Sequence, residues 1–335
     1  MTQNDRQYKK ICGKIGLVMC LFLAFFNVLT SVVSFIYGLL LGAVEAFPAI
    51  GLSTTVAEVI GEVLTMLAYF FSFSIPAFIL TRMNRKNKGY IPIYAKKGLP
   101  SNIFFLVMAA VAINFMIAFL NARIMTWIVP STYSSFSSFQ TAEPQWHTIL
   151  LSILSIGVVP ALCEEYLFRG AILSALLPYG RSCAIFGSAF LFGMMHQNPY
   201  QIFYTMMLGI VLGCIYVRTR SIWCGVLIHF VNNSVSVIED ALYQYGFFVA
   251  IDIIDILILT LGILSVCLLL RAENRKRRPE DEGSFGILFE AEPDYGRYEL
   301  TKGKKITGFF HPAMIVFVIL AGVSMASVLL LLGGF

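Results

Sequence analysis

Long apolar runs broken by short polar stretches dominate the chain, and most have the length of a bilayer-spanning helix, about 20 residues. In order they predict spans at about 15–43, 56–81, 103–129, a fourth from 147 past Pro160 towards 177, and a shorter fifth at 183–195. Further spans follow at about 200–217, 222–238, 247–270 and 309–332. Lys9, Lys10 and Lys14 precede the first run as in a signal peptide, but the run is far longer than a signal core of about 7–15 residues. It reads as a retained anchor. The pattern predicts an all-α fold, a polytopic transmembrane helical bundle of about 8–9 spans.

Composition narrows the class. Hydrophobic residues make up 58% of the 335 positions and charged residues 13%, about half the share of a soluble domain. A soluble globule, a disordered chain and a disulfide-framed secreted module are excluded. The net charge of +5 is too small to indicate nucleic-acid binding. The basic residues fall between apolar blocks instead: Arg82, Arg85, Lys86, Lys88, Lys96 and Lys97 share one break with no acidic residue. By the positive-inside rule this break and the N-terminus are cytoplasmic, in an integral protein of the plasma membrane. The stretch from Pro130 to Trp146 has no Lys or Arg and reads as an outer loop. The 7 cysteines form no CxxC and suit buried small apolar positions.

Five regions are expected: N-terminal spans over 1–146, a core over 147–240, one span over 241–270, a charged cytoplasmic loop over 271–308, and a last span over 309–335. The loop carries the run Arg275–Arg278 with Pro279 and Pro293, and is expected to be weakly folded. Oligomeric state is not legible.

Polar residues inside apolar helices carry the chemical signal, because an ionised group at bilayer depth costs about 2.5–3.5 kcal/mol even on the lenient scale. Glu165 and Arg169 are four apart and share a helix face, so they can pair. Glu164 points about 100° away, has no local cation, and is placed to act as a general base. His196 lies one turn after Phe192. His229 and Asn233 share a helix face and could both donate to one developing oxyanion. Each cluster alone also fits structural hydrogen bonding. Together they supply a carboxylate, two imidazoles and an amide, enough for hydrolysis of an amide by activated water. His147 and His311 sit at span ends and read as interfacial. GxSxG, HExxH and GxxxxGK are absent. Cys163 has no histidine neighbour that would make it a nucleophile. Gly209 and Gly213 form a GxxxG that reads as close helix packing.

The order and spacing of EExxxR (Glu164, Glu165, Arg169), FxxxH (Phe192, His196) and HxxxN (His229, Asn233) resemble the CPBP family. That family comprises CAAX prenyl endopeptidases and bacteriocin-processing or self-immunity membrane proteins. The resemblance covers about 148–240. It implies an intramembrane endopeptidase in which Glu164 with His196 activates water, His229 and Asn233 stabilise the oxyanion, and Glu165 and Arg169 hold the first helix. The implied substrate is a peptide or membrane protein, a prenylated tail being one class, met in the lipid bilayer.

The family has been described both as metalloproteases and with a metal-free mechanism. No cofactor is favoured, and a zinc site through Glu164, His196 and His229 is the alternative. Straight helices would set Glu164 and His196 at different depths, unless Pro160, Pro178, Gly180, Gly187 or Gly193 bends them. Competing readings are a self-immunity or scaffold protein without turnover, and a transporter. A transporter predicts an inverted repeat, which the sequence does not show.

Overall fold

The structure, a computed structural model, describes residues 2–46, 53–85, 99–128, 145–276, 298–301 and 303–331. Among these, α1 (Gln3–Ala46), α2 (Thr54–Asn84), α3 (Ile103–Ile128) and α4 (Trp146–Tyr179) come first. Then follow α5 (Arg181–Met195), α6 (Ile202–Thr219), α7 (Ile222–Gln244), α8 (Phe248–Lys276), the single turn α9 (Lys304–Phe309) and α10 (Pro312–Leu331). Every element is helical, as a chain in hydrocarbon requires when its backbone groups must pair within the segment. Seven helices are long and apolar enough to span, and α5 and α10 are shorter apolar helices. The outer loop expected after α3, the end of the basic break and most of the 271–308 loop lie outside the described residues.

The apolar pattern does not form one-sided stripes. Phe35, Phe78, Ile256 and Ile263 are among many large apolar side chains left exposed, the outward face of a bundle whose solvent is lipid. All three tryptophans are exposed and lie close to helix ends, Trp127 on α3, Trp146 on α4 and Trp223 on α7. Aromatic rings of this kind belong at the two membrane interfaces.

Inside, one core gathers Tyr8, Phe22, Phe73, Leu167, Phe192 and Phe317, and a smaller one gathers Val107, Val111, Leu208, Leu212 and Ile228. α1 lies along α2 and α10, α5 along α6, and α3 along α8. Small residues permit these approaches. A side-chain carbon on Gly209 would stand 3.0 Å from Ala189 Cα, and one on Gly213 would stand 3.3 Å from Ile185. The GxxxG therefore packs α6 on α5.

α1 is 44 residues long, about 66 Å at 1.5 Å per residue, which exceeds a bilayer. Its first turns serve as a docking post. Asp5 accepts hydrogen bonds from the Thr301 amide at 3.0 Å and the Thr301 hydroxyl at 2.8 Å. Tyr8 donates to the Lys305 carbonyl at 3.0 Å and packs on Tyr179, which in turn packs on Tyr298. The described end of the charged loop is thus tied to the bundle, and α9 adds a helical turn where a loop is expected.

α4 positions the site and is not a uniform helix. It widens to π-helical geometry at Ile153–Val158 and at Tyr166–Leu173, then closes in a 3₁₀ turn at Leu177–Tyr179. Gly180 follows at φ +124°, a conformation a side chain would strain, and turns the chain into the short α5. Phe192, on α5, puts its ring centroid 5.2 Å from that of His196 and 5.9 Å from that of His229.

Gly16 marks the tightest contact of α1 with α10: a side-chain carbon there would fall 2.6 Å from the Ala313 carbonyl carbon. Gly16→Ala is expected to destabilise the fold by about 1–3 kcal/mol. A lower unfolding temperature in detergent checks this, against Gly38→Ala, whose added carbon meets nothing within 4 Å and is expected to cause no loss.

Candidate active site

The site forms where α4, α7, α5 and α2 meet. Glu164 and Glu165 lie in the ordinary α-helical turns between the two wide segments of α4. Arg169 sits in the second wide segment and pairs with Glu165 Oε1. Glu164, Glu165, Arg169 and His229 are all at most 4% exposed at their side chains, so none is hydrated as an exposed charge would be. Burial at this level calls for pairing, and the network supplies most of it: among the described residues Glu164 Oε2, Glu165 Oε2 and Arg169 Nε are left without a hydrogen-bond partner.

The pairing extends outward from Arg169. Besides Glu165, its guanidinium donates from Nη2 to the Gly209 carbonyl at 3.3 Å. It also stacks 4.6 Å from the centre of the Phe192 ring, a cation–π contact. Ser174 donates to the Arg169 carbonyl at 2.9 Å and meets the Tyr216 hydroxyl at 2.8 Å, which anchors the wide turn.

Glu165 then organises α7. Its Oε1 is 3.2 Å from His229 Nδ1. Room for this carboxylate exists because residue 225, one turn before His229, is glycine: a side-chain carbon there would lie 2.5 Å from Glu165 Oε2. With Nδ1 turned to Glu165, His229 Nε2 faces Glu164 Oε2 across 3.7 Å. The other oxygen, Glu164 Oε1, accepts the hydroxyl of Tyr69 from α2. Glu164 Oε2 has no hydrogen-bond partner among the described residues.

His196 caps the C-terminus of α5. Its Nδ1 is 2.8 Å from the Phe192 carbonyl, so Nδ1 carries the proton and Nε2 is left as an acceptor. Glu164 and His229 are both near enough to act electrostatically on the ring.

Asn233 is placed by the first wide segment of α4, whose Ile156 carbonyl accepts Asn233 Nδ2 at 2.9 Å. A chain of carboxamides orients the group further. Asn232 donates to Asn233 Oδ1 at 3.2 Å, and Asn114 of α3 donates to Asn232 Oδ1 at 2.6 Å. One N–H of Asn233 is thus committed to Ile156, and its second N–H is the one able to serve another acceptor.

The expected residues therefore gather in one region, and the structure adds Tyr69, Asn114 and Asn232, which the sequence pattern does not single out. Cys163 is buried and neighbours Ser74, not an imidazole.

The zinc alternative needs correction. Among the described residues no three His, Cys, Asp or Glu side chains converge to hold a metal ion, so Glu164, His196 and His229 do not form a ligand set. Glu164 gives one oxygen to the Tyr69 hydroxyl, and beside its other oxygen and His229 Nε2 no third donor converges among the described residues.

Residues 145–235 match the family model described as Type II CAAX prenyl endopeptidase Rce1-like. This segment, a little over a quarter of the chain, runs from the start of α4 to two residues past Asn233 and is a domain of the CAAX protease superfamily. It contains all six expected site residues, whereas Tyr69 and Asn114 are supplied from outside it. No curated protein and no solved structure matches the chain.

Removing Arg169 strands the buried Glu165 charge. Arg169→Met is expected to destabilise the protein by about 3–5 kcal/mol. Glu165→Gln combined with Arg169→Met removes both charges and is expected to recover much of that loss. Unfolding in detergent, compared across the two variants, checks it; equal losses would contradict the pairing.

Proposed function

We propose that the protein is an intramembrane endopeptidase that hydrolyses a peptide bond of a membrane-inserted peptide or protein. The observation that carries this reading is the state of Glu164. One oxygen is fixed by Tyr69, the other has no partner among the described residues and faces an imidazole, and both are buried in a domain of the CAAX protease superfamily.

In this reading water sits between Glu164 Oε2 and His196 Nε2. Glu164 takes a proton from that water as the oxygen attacks the scissile carbonyl carbon. The carbonyl oxygen becomes an oxyanion and receives hydrogen bonds from His229 Nε2–H and the second N–H of Asn233. Glu164 then gives its proton to the leaving nitrogen, the C–N bond breaks, and the products are a carboxylic acid and an amine.

His229 can donate from both ring nitrogens only as an imidazolium. Glu165 offsets that charge, which assigns it a positioning role, and Arg169 holds Glu165. Tyr69 keeps Glu164 from rotating. The wide first segment of α4 positions Asn233 through the Ile156 carbonyl.

The substrate reaches the site through the bilayer. The Lys and Arg distribution supports a cytoplasmic N-terminus, and residence in the plasma membrane is part of the same proposal.

Purified protein in lipid vesicles, mixed with a library of membrane peptides that includes prenylated tails, tests the reading by mass spectrometry. Glu164→Gln is expected to lower turnover by about 10²–10⁴. Asn233→Ala is expected to lower it by about 10²–10³. Both variants are expected to retain wild-type unfolding behaviour to within ordinary substitution effects. Cleavage by a folded Glu164→Gln protein at the wild-type rate would sink the proposal.

A further inference from the structure

Above the site, towards the end of the bundle where α2 and α4 begin, a cavity of about 460 Å³ opens between α1, α2 and α4. From α2 it is lined by Glu58, Glu62 and Thr65, and from α4 by His147, Ser152 and Ile156. Glu58, Glu62, Thr65 and Tyr69 follow at intervals of four, three and four residues, so one face of α2 runs from the cavity to the hydroxyl that holds Glu164. On α4, Ile156 lines the cavity with its side and holds Asn233 with its carbonyl. The cavity therefore ends where the reactive groups begin. Ser152 is 9% exposed, lines the cavity and makes no side-chain hydrogen bond among the described residues.

The two glutamates have no cation of their own. Neither makes an ion pair among the described residues. The chain also holds no Lys or Arg from residue 15 to 81, from 124 to 168, or from 221 to 270. Those stretches contain Glu45, Glu58, Glu62, Glu143, Glu239, Asp240, Asp252 and Asp255 outside the catalytic cluster. Arg123 is the basic residue of this half of the bundle in sequence, and it lies over the Phe119 ring of its own helix. Of these acidic residues, Glu58 and Glu62 line the cavity, and carboxylates lining a cleft raise the local concentration of ligands of the other sign.

We propose that this cavity is a substrate subsite that selects a Lys- or Arg-bearing segment of a membrane-inserted peptide. Glu58 and Glu62 receive the cationic side chain, Ser152 and Thr65 hydrogen-bond the neighbouring backbone, and the following residues descend between α2 and α4 to Glu164. The proposal rests on the endopeptidase reading for what happens to the peptide, and stands apart from it in what the cavity binds.

Binding is measured with full-length protein in vesicles of neutral lipid, using Glu164→Gln to prevent turnover. The probes are 20-residue Leu/Ala peptides labelled with a fluorophore and ending in Lys-Lys, Ser-Ser or Glu-Glu. The Lys-Lys peptide is expected to bind about 5–10 times more tightly than Ser-Ser. Adding Glu58→Gln and Glu62→Gln is expected to bring the two within about twofold. Glu58→Lys with Glu62→Lys is expected to reverse the order in favour of Glu-Glu, which guards against a misfolded neutral variant. Equal binding of all three peptides, or a Lys-Lys preference that survives both pairs of substitutions, would overturn the subsite. Cleavage of the same peptides by the wild type is read separately: a retained Lys-Lys preference with no cleavage counts against the peptidase reading and leaves the subsite standing.

Discussion

Glu165 and Arg169 could not be buried separately in a bundle surrounded by hydrocarbon. An ionised group there needs a partner of opposite charge. Most of the site follows from meeting that demand. Arg169 reaches Glu165, the Gly209 carbonyl and the Phe192 ring, and so ties α4 to α6 and α5. Glu165 reaches His229 and ties α4 to α7. Gly225 and Gly209 are small at the two places where the charged groups meet a neighbouring helix. The same arrangement that makes the charges tolerable holds an imidazole opposite a second carboxylate. Stability and chemistry share one network, and the burial that makes it costly strengthens every interaction in it.

Part of this network is legible in the chain. Four-residue spacing alone sets Glu165 with Arg169, and His229 with Asn233, because helix periodicity is local. The number and order of the apolar helices are legible for the same reason. Contacts between helices are not. Tyr69 stands 95 residues from Glu164, and a tyrosine in an apolar run has the same pattern as an interfacial one. The zinc alternative fails at this step: residue types alone suggest a ligand set, but whether three donors converge is decided by packing between helices, and among the described residues no three do.

The irregular backbone of α4 is what a straight-helix reading lacks. Two wide segments bracket Glu164 and Glu165, and wide turns of this kind recur at functional sites. Between them, ordinary helical spacing turns Glu164 to Tyr69 and His229 Nε2, and Glu165 to Arg169 and His229 Nδ1. The superfamily domain at 145–235 holds Glu164, His196, His229 and Asn233, while α2, outside it, supplies Tyr69 and the acidic wall of the cavity.

The most direct test of the central claim follows the oxygen of the attacking water. Wild-type protein in lipid vesicles is incubated with a cleavable membrane peptide in ¹⁸O-labelled water, together with excess hydroxylamine to intercept any acyl-enzyme. Direct attack by water held at Glu164 predicts a new C-terminal carboxylate carrying one labelled oxygen, and no hydroxamate. A hydroxamate product would instead identify a covalent intermediate on a protein side chain, and would contradict the assignment of Glu164 as the base for water.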